Sequence, residues 1–198
     1  RGFADPSDPF MPITAITVHL QWLDALITLA VPPKTITMEQ AKEQCKEWGE
    51  ECILFAKEAD MLETFLDLIE DSDILTGWNS EGYDIPYTVN RVSRVLSKDD
   101  TRRFCLWKQL PKKREYEKYG KSAETYDLVG RVHLDSLELY RKYTYEERHT
   151  YRLDAIGELE VGERKTVYEG TLDQLYNNDF RRFIEYNRQD VALLDKLD

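Results

Sequence analysis

The stretch Asp73 Ile74 Leu75 Thr76 Gly77 Trp78 Asn79 Ser80 Glu81 Gly82 Tyr83 Asp84 Ile85 Pro86 Tyr87 decides the fold. Its first half, to Trp78, reads as a short strand running into a loop. From Asp84 to about Leu96 the pattern turns helical, and Pro86 falls in the first turn, where its missing N–H costs nothing. A strand end that carries Asn79 and a loop that delivers Asp84 to a helix start form an α/β unit. In open α/β sheets, sites favour such strand-end loops.

Outward from this unit, alternation of strand and helix continues. Upstream, residues 13–20 and 23–31 are rich in β-branched side chains and read as an antiparallel hairpin that Pro32 and Pro33 end. Thr37 with Gln40 has capping-box spacing for a helix to about Trp48, with Gly49 as its stop, and residues 52–55 read as a buried strand. Asp60 with Glu63 predicts a capped helix whose Leu62, Phe65, Leu66 and Ile69 share one face. Downstream, residues 106–134 are the least regular. Their basic run Lys112 Lys113 Arg114 and turn signal Tyr119 Gly120 Lys121 Ser122 read as a protruding β-hairpin. A strand ending near Leu134, a helix from Asp135, another near Leu153 and a last long helix from about Leu172 to the end complete the expectation. The fold class is α/β, a mixed β-sheet flanked by helices.

Composition sets the outer bounds. The chain has 198 residues and 23.4 kDa, with 41% hydrophobic, 12% aromatic and 33% charged residues, well inside the globular class. A chain of this size buries about 70% of its extended surface and needs no staple. No repeat, low-complexity stretch or Gly/Ser linker interrupts it, so one domain is expected over residues 1–198. A net charge of −11 and a pI near 4.9 argue against gripping long nucleic acid through a general basic surface. A short nucleic-acid end held through metal survives that objection, since divalent cations invert the local sign of clustered carboxylates. No segment approaches a membrane span, and no signal peptide is present. The start at Arg1, without Met, suggests a fragment or processed piece. Cys45, Cys52 and Cys105 have no C-x-x-C spacing and suit a reducing compartment as packing residues.

Two constellations could carry chemistry. In the first, Asp84 either caps its helix or offers a carboxylate to a ligand, and the roles can coexist. In the second, Tyr186 and Asp190 stand one turn apart on one helix face, with Phe183 and Leu194 on the same stripe. Asp190 is there either a half-exposed partner of Arg188 or Lys196, or a carboxylate awaiting a cation. Two carboxylates about 4 Å apart repel by roughly 4 kcal/mol at an effective dielectric near 20. Such clusters persist where they hold Mg²⁺ or Mn²⁺, and two such ions are the arrangement for phosphodiester hydrolysis. Asp135, followed by Glu138, has the spacing of a helix cap rather than of a ligand. His19, His133 and His149 show no metal spacing.

Residues 75–87 and 186–190 resemble the second and third exonuclease motifs of family B DNA polymerases of the T-even-phage type. These are the proofreading 3′→5′ exonucleases of the DnaQ-like, ribonuclease H-like group. The similarity also runs through Gly2 Phe3, residues 75–92, 132–143, 151–160 and 165 to the end. Either motif alone is weak, but both in order along a similar chain are specific.

The resemblance implies a ribonuclease H-like sheet and removal of 3′-terminal nucleotides from single-stranded DNA ends with two Mg²⁺ or Mn²⁺. It implies Asp84 and Asp190 as metal ligands and Tyr186, in the place that defines the DEDDy type, as the group that orients the attacking water. Asn79 and Phe3 become DNA contacts, with terminal bases stacking on Phe3. Lys165, in Lys165-x-x-Tyr168-x-Gly170, matches a lysine that approaches the scissile phosphate, or is a solvated surface residue. The hairpin's turn resembles one that helps part primer from template, or is a solvated charged loop.

Implied partners are the single-stranded DNA 3′ end, the polymerase palm and thumb domains and a sliding clamp, in the host cell cytoplasm if phage-encoded. The first motif, an Asp-x-Glu pair, should stand just upstream of Gly2 Phe3 and is not in the sequence. A chain without it is expected to cleave poorly. The alternative is a non-catalytic structural or DNA-end-binding module, and a second rival is a nuclease of the same fold that acts on RNA.

Overall fold

The structure, a computed structural model, describes residues 3–118, 120–163 and 168–197. In chain order its elements are β1 (Ala15–Leu20), β2 (Ala25–Ala30), α1 (Met38–Gln44), β3 (Cys52–Leu54), α2 (Glu58–Ile69), β4 (Ile74–Gly77), α3 (Asp84–Val95), β5 (Lys112–Lys118), β6 (Lys121–Asp127), β7 (Val132–Asp135), α4 (Ser136–Tyr143), α5 (Leu153–Glu160), α6 (Leu172–Asn178) and α7 (Phe180–Leu197). This is the mixed α/β architecture that the alternating pattern predicts, with helices and small sheets. The chain divides into two compact units. One gathers Leu62–Glu147 with the N-terminal residues up to Pro12, and the other gathers Ile13–Met61 with the residues from Arg148 onward.

In the unit that holds Ile13–Met61, β1 and β2 form the expected antiparallel hairpin, with Thr17 opposite Thr28. β2 then pairs with β3 in parallel, Leu29 beside Ile53. A parallel pair needs a crossover, and α1 supplies it. The core gathers Ala30, Ala41, Cys45, Leu175, Phe180, Phe183 and Ile184, with Tyr168, Tyr176 and Tyr186 packed against it. Cys45 and Cys52 belong to this packing, and the neighbouring Cys52 thiol and burial push the Cys45 thiol up.

Three expected boundaries shift here. The Thr37–Gln40 capping box forms, with Gln40 N–H donating to Thr37 Oγ1 at 3.2 Å, but α1 ends at Gln44 rather than near Trp48. The chain tightens into a 3-10 turn over Lys46–Glu51, in which Gly49 takes φ +52°. That turn sets the Trp48 ring beside the guanidinium groups of Arg181 and Arg188, at 5.8 and 5.6 Å. The helix expected to be capped by Asp60 begins at Glu58, so Asp60 lies inside its first turn. The single long C-terminal helix is two. A Thr171–Gln174 capping box opens α6, and Asp179, at φ −145°, breaks the run. The Asp179 carboxylate accepts the Arg182 N–H at 3.1 Å as α7 begins.

α5 approaches α7 through Gly157, where an added Cβ would stand 2.6 Å from both Leu193 δ-carbons. Gly157→Ala should therefore overpack the contact and cost about 1–3 kcal/mol. Urea denaturation checks this, and an unchanged midpoint would mean that Leu193 swings aside freely.

In the other unit, β4 and β7 pair in parallel, with Gly77 opposite Asp135 at the strand ends. β5 and β6 form an antiparallel hairpin in which Thr125 is fully buried, and Tyr119 in its turn lies outside the described residues. Phe65 packs on Phe104 at 6.2 Å in the core. Arg131 is buried and donates to the carbonyls of Phe104, Ile69, Glu70 and Ser72, which saturates a guanidinium that would otherwise be costly to bury.

The N-terminal strap, residues 4–11, is bound along α3 by donors on that helix and its cap. Tyr83 Oη donates to Ala4 O, Asn90 Nδ2 to Pro6 O, Arg91 to Pro9 O and Phe10 O, and Tyr87 Oη to Met11 O. Among the described residues no helix is long and apolar enough to cross a membrane.

Candidate functional site

The first candidate constellation is the turn between β4 and α3. Gly77 ends the strand at a place where an added Cβ would lie 2.7 Å from Ser80 Cβ, so only glycine lets the turn close this tightly. Asn79 takes φ +58°, a left-handed conformation that asparagine tolerates better than most residues. Its side chain folds over Gly82, where a Cβ would meet Asn79 Oδ1 at 3.0 Å. The identity of Asn79 is thus explained locally by the turn. The turn hands over to α3 through Tyr83 N–H to Asn79 O at 3.1 Å and Ile85 N–H to Ser80 O at 2.9 Å.

Asp84 sits between those two amides as the first residue of α3. Tyr83 holds the N-cap position, and no side chain makes a capping bond. The capping reading of Asp84 is therefore not what the structure contains. Solvent reaches Asp84, yet protein crowds it enough that lost solvation, and then the charge of Asp135, push its carboxyl from 3.8 up to about 6. Accessible to a ligand but poorly hydrated, it is an oxygen donor that a hard cation would relieve. Phe3 is 78% exposed and meets the Tyr83 ring edge-on at 6.0 Å, and Tyr83 stacks on Tyr87 at 5.3 Å.

Four residues around the turn are not evident from local sequence. Asp135 accepts N–H bonds from Asn79, Glu81 and Leu137, each at 3.0 Å. The N-cap role predicted from its spacing is present, while its reach to the turn spans more than fifty residues of sequence. His133, two residues earlier on the same face of β7, lies 2.8 Å from Ser80 Oγ through Nε2, and burial lowers its pKa. Thr125 Oγ1 donates to Glu81 O at 2.8 Å, and Arg114 pairs with the Glu81 carboxylate.

A second constellation lies on α7, in the unit that holds Ile13–Met61. Tyr186 and Asp190 are half-buried there, one turn apart, and one carboxylate oxygen of Asp190 is sheltered from solvent. The Tyr186 ring packs edge-on against Tyr168 at 5.1 Å. Arg188 does not serve Asp190. It is buried and donates to Leu26 O, Thr28 Oγ1 and Glu51 O at 2.7, 3.2 and 3.2 Å, and to the Glu51 carboxylate at 2.7 Å. Asn187 meets Thr17 Oγ1 at 2.5 Å. Lys196 pairs with Glu163 at 2.5 Å. The Asn187 and Arg188 bonds to Thr17, Leu26 and Thr28 fix α7 in rotation against β1 and β2, and so fix where Tyr186 and Asp190 point.

The structure thus brings Asn79, Asp84 and Phe3 around one turn and Tyr186 and Asp190 onto one helix face. Lys165 lies outside the described residues. Among the described residues no three His, Cys, Asp or Glu side chains gather as a ready metal-holding group.

The model of the family B DNA polymerase exonuclease domain matches residues 1–156. The DNA-directed DNA polymerase of Enterobacteria phage T4 is 34% identical over 146 residues, 73% of this chain and 16% of that protein. The DNA-directed DNA polymerase of Escherichia phage RB69 is 30% identical over 216 aligned positions that take in 100% of this chain and 24% of that protein. The chain therefore spans a quarter or less of the relatives it matches. The match takes in the β4–α3 turn with Asp84, and the RB69 alignment extends it through α7. On the strength of that coverage, the chain belongs to the exonuclease domain family of the family B DNA polymerases, with T-even-phage enzymes among its relatives.

Proposed function

We propose that the chain is a proofreading domain that removes 3′-terminal nucleotides from single-stranded DNA, with Asp84 and Asp190 as metal-binding carboxylates. The observation that carries this reading is the state of Asp84. Within the matched residues this carboxylate is open to solvent, lies inside α3 and not at its N-cap, and is held at raised pKa by lost solvation and the charge of the buried Asp135. Hard oxygen donors of this kind fit Mg²⁺ or Mn²⁺, which when bound supply an activated water and stabilise the attacking and leaving oxygens.

The chain's own residues do the rest. Tyr186, braced by Tyr168, holds its hydroxyl one turn from Asp190 to orient water. Phe3 offers an exposed ring for a terminal base, a contact worth about 1–3 kcal/mol, and Asn79 and Lys165 contact the DNA end. On this reading an Asp-x-Glu pair outside residues 1–198 completes the carboxylate set. The palm and thumb domains of a polymerase and a sliding clamp are partners in the host cytoplasm.

The test is digestion of a 5′-labelled single-stranded DNA oligonucleotide by the protein as encoded, including any residues before Arg1, with Mn²⁺. The expected product is a ladder shortening one nucleotide at a time from the 3′ end, weaker on matched RNA because nothing in the sequence reads a 2′-hydroxyl. Internal cuts, equal cleavage of RNA, or a folded protein with no Mn²⁺-dependent product would overturn it, the last in favour of a DNA-end-binding module.

A further inference from the structure

Asp135 is 7% exposed, and a buried carboxylate in that position must be satisfied or expelled. It is satisfied three times, and the donors belong to two different elements. Oδ1 accepts from Leu137 N–H, at the start of α4, and also from Asn79 N–H, while Oδ2 accepts from Glu81 N–H. Capping α4 needs only the first of these bonds. The other two grip the turn on either side of Ser80, whose own hydroxyl meets His133 from the same strand.

From there the order is passed on. Asn79 O and Ser80 O receive the amides of Tyr83 and Ile85, the two residues that flank Asp84. Charge-assisted bonds of this kind are the stronger ones, and here they grip a turn in which Asn79 is left-handed.

We propose that Asp135 is a positioning residue that, through the amides of Asn79 and Glu81, sets the turn that aims the Asp84 carboxylate at its metal ion. The inference rests on the reading of Asp84 given above. Asp135 touches neither ion nor substrate; it acts as an outer partner of the ligand, a role whose loss costs about 10–100-fold in metal affinity.

The test separates the turn from the cap. Asp135→Ser keeps an oxygen able to cap α4 but is too short to reach the turn as well. In the 198-residue chain, amide exchange followed by NMR should show Leu137 still protected and Asn79 and Glu81 exchanging at least about 10-fold faster. Mn²⁺ titration should show affinity reduced by about 10–100-fold. Asp135→Asn serves if the serine variant does not fold. It keeps one acceptor, turns a second donor toward Glu81, and should release Glu81 while sparing Asn79.

Unchanged exchange at Asn79 and Glu81, or unchanged Mn²⁺ affinity in a folded variant whose turn is released, overturns the proposal. Asp84→Asn run alongside distinguishes the two readings. If it leaves Mn²⁺ affinity untouched, the metal reading of Asp84 fails and the aiming role falls with it, whereas loss of affinity in Asp84→Asn but not in Asp135→Ser removes the positioning role alone.

Discussion

Asp84→Asn is expected to lose at least about 100-fold of metal-dependent nuclease activity, since even outer partners of a ligand cost 10–100-fold, and to gain stability above pH 6. The second half follows from the direction of the carboxyl's shift. Its unfolded value is near 3.8 and its folded value about 6, so between these pH values the folded chain holds a proton that the unfolded chain has released. Stability contributed by that proton is present below about pH 4 and lost as pH rises to 6.

For a fully buried group the difference corresponds to about 3 kcal/mol. Solvent reaches Asp84, and screening brings the expected gain of the asparagine variant to about 1 kcal/mol at neutral pH. Adding Mn²⁺ should reverse the order, stabilising the wild-type chain in proportion to occupancy and the variant little. Thermal melts at pH 4 and pH 7.5, with and without Mn²⁺, check all of this. A variant less stable than wild type at pH 7.5 without metal would show that the Asp84 carboxylate is a structural group.

Arg188→Met should be the most destabilising single change near the site. Methionine replaces the stem but leaves the half-buried Leu26 O and Glu51 O with a donor missing, while the fully buried Thr28 hydroxyl keeps Thr17. Each unsatisfied buried group costs about 1–3 kcal/mol, so two half-buried carbonyls make a loss of about 2 kcal/mol the expected result. The Glu51 ion pair adds little, because that carboxylate is half-exposed. Since Arg188 sets the rotation of α7, activity should fall even where the variant remains folded. Urea denaturation with a parallel nuclease assay measures both, and a loss below 1 kcal/mol would mean that water replaces the guanidinium at little cost.

Local signals carried the sequence reading a long way. The Thr37 and Thr171 boxes have their donors and acceptors within three residues, so the capping at Thr37 could be read without a fold. The tightness of the turn at residues 77–84 is likewise legible nearby, in Gly77 and an αL-tolerant asparagine, although its aim depends on Asp135. Helix boundaries are less legible. Nothing near Asp60 says that α2 has already begun. The Asp179 break depends on a backbone conformation that a continuous apolar stripe conceals.

The site divides in the same way. Asp84, Asn79, Tyr186 and Asp190 stand in recognisable strings, whereas the partners of Arg188 lie 137 to 162 residues away and Asp135 reaches the turn across 54 to 56. A capping pattern identified Asp135 correctly for one bond of three.

The strap along α3 has a consequence for how such a chain can drift. Every acceptor in residues 4–11 that α3 and its cap grip through Tyr83, Tyr87, Asn90 and Arg91 is a main-chain carbonyl, and the side chains that donate all belong to the helical side. Apart from Asp8, whose exposed carboxylate pairs with Arg94 at 2.6 Å, the peptide is thus held like a rope through rings, indifferent to what hangs from it. Mutation can rewrite its lettering while the path that leads back to Phe3 stays put, and the burden of invariance falls on four donors of a single helical face.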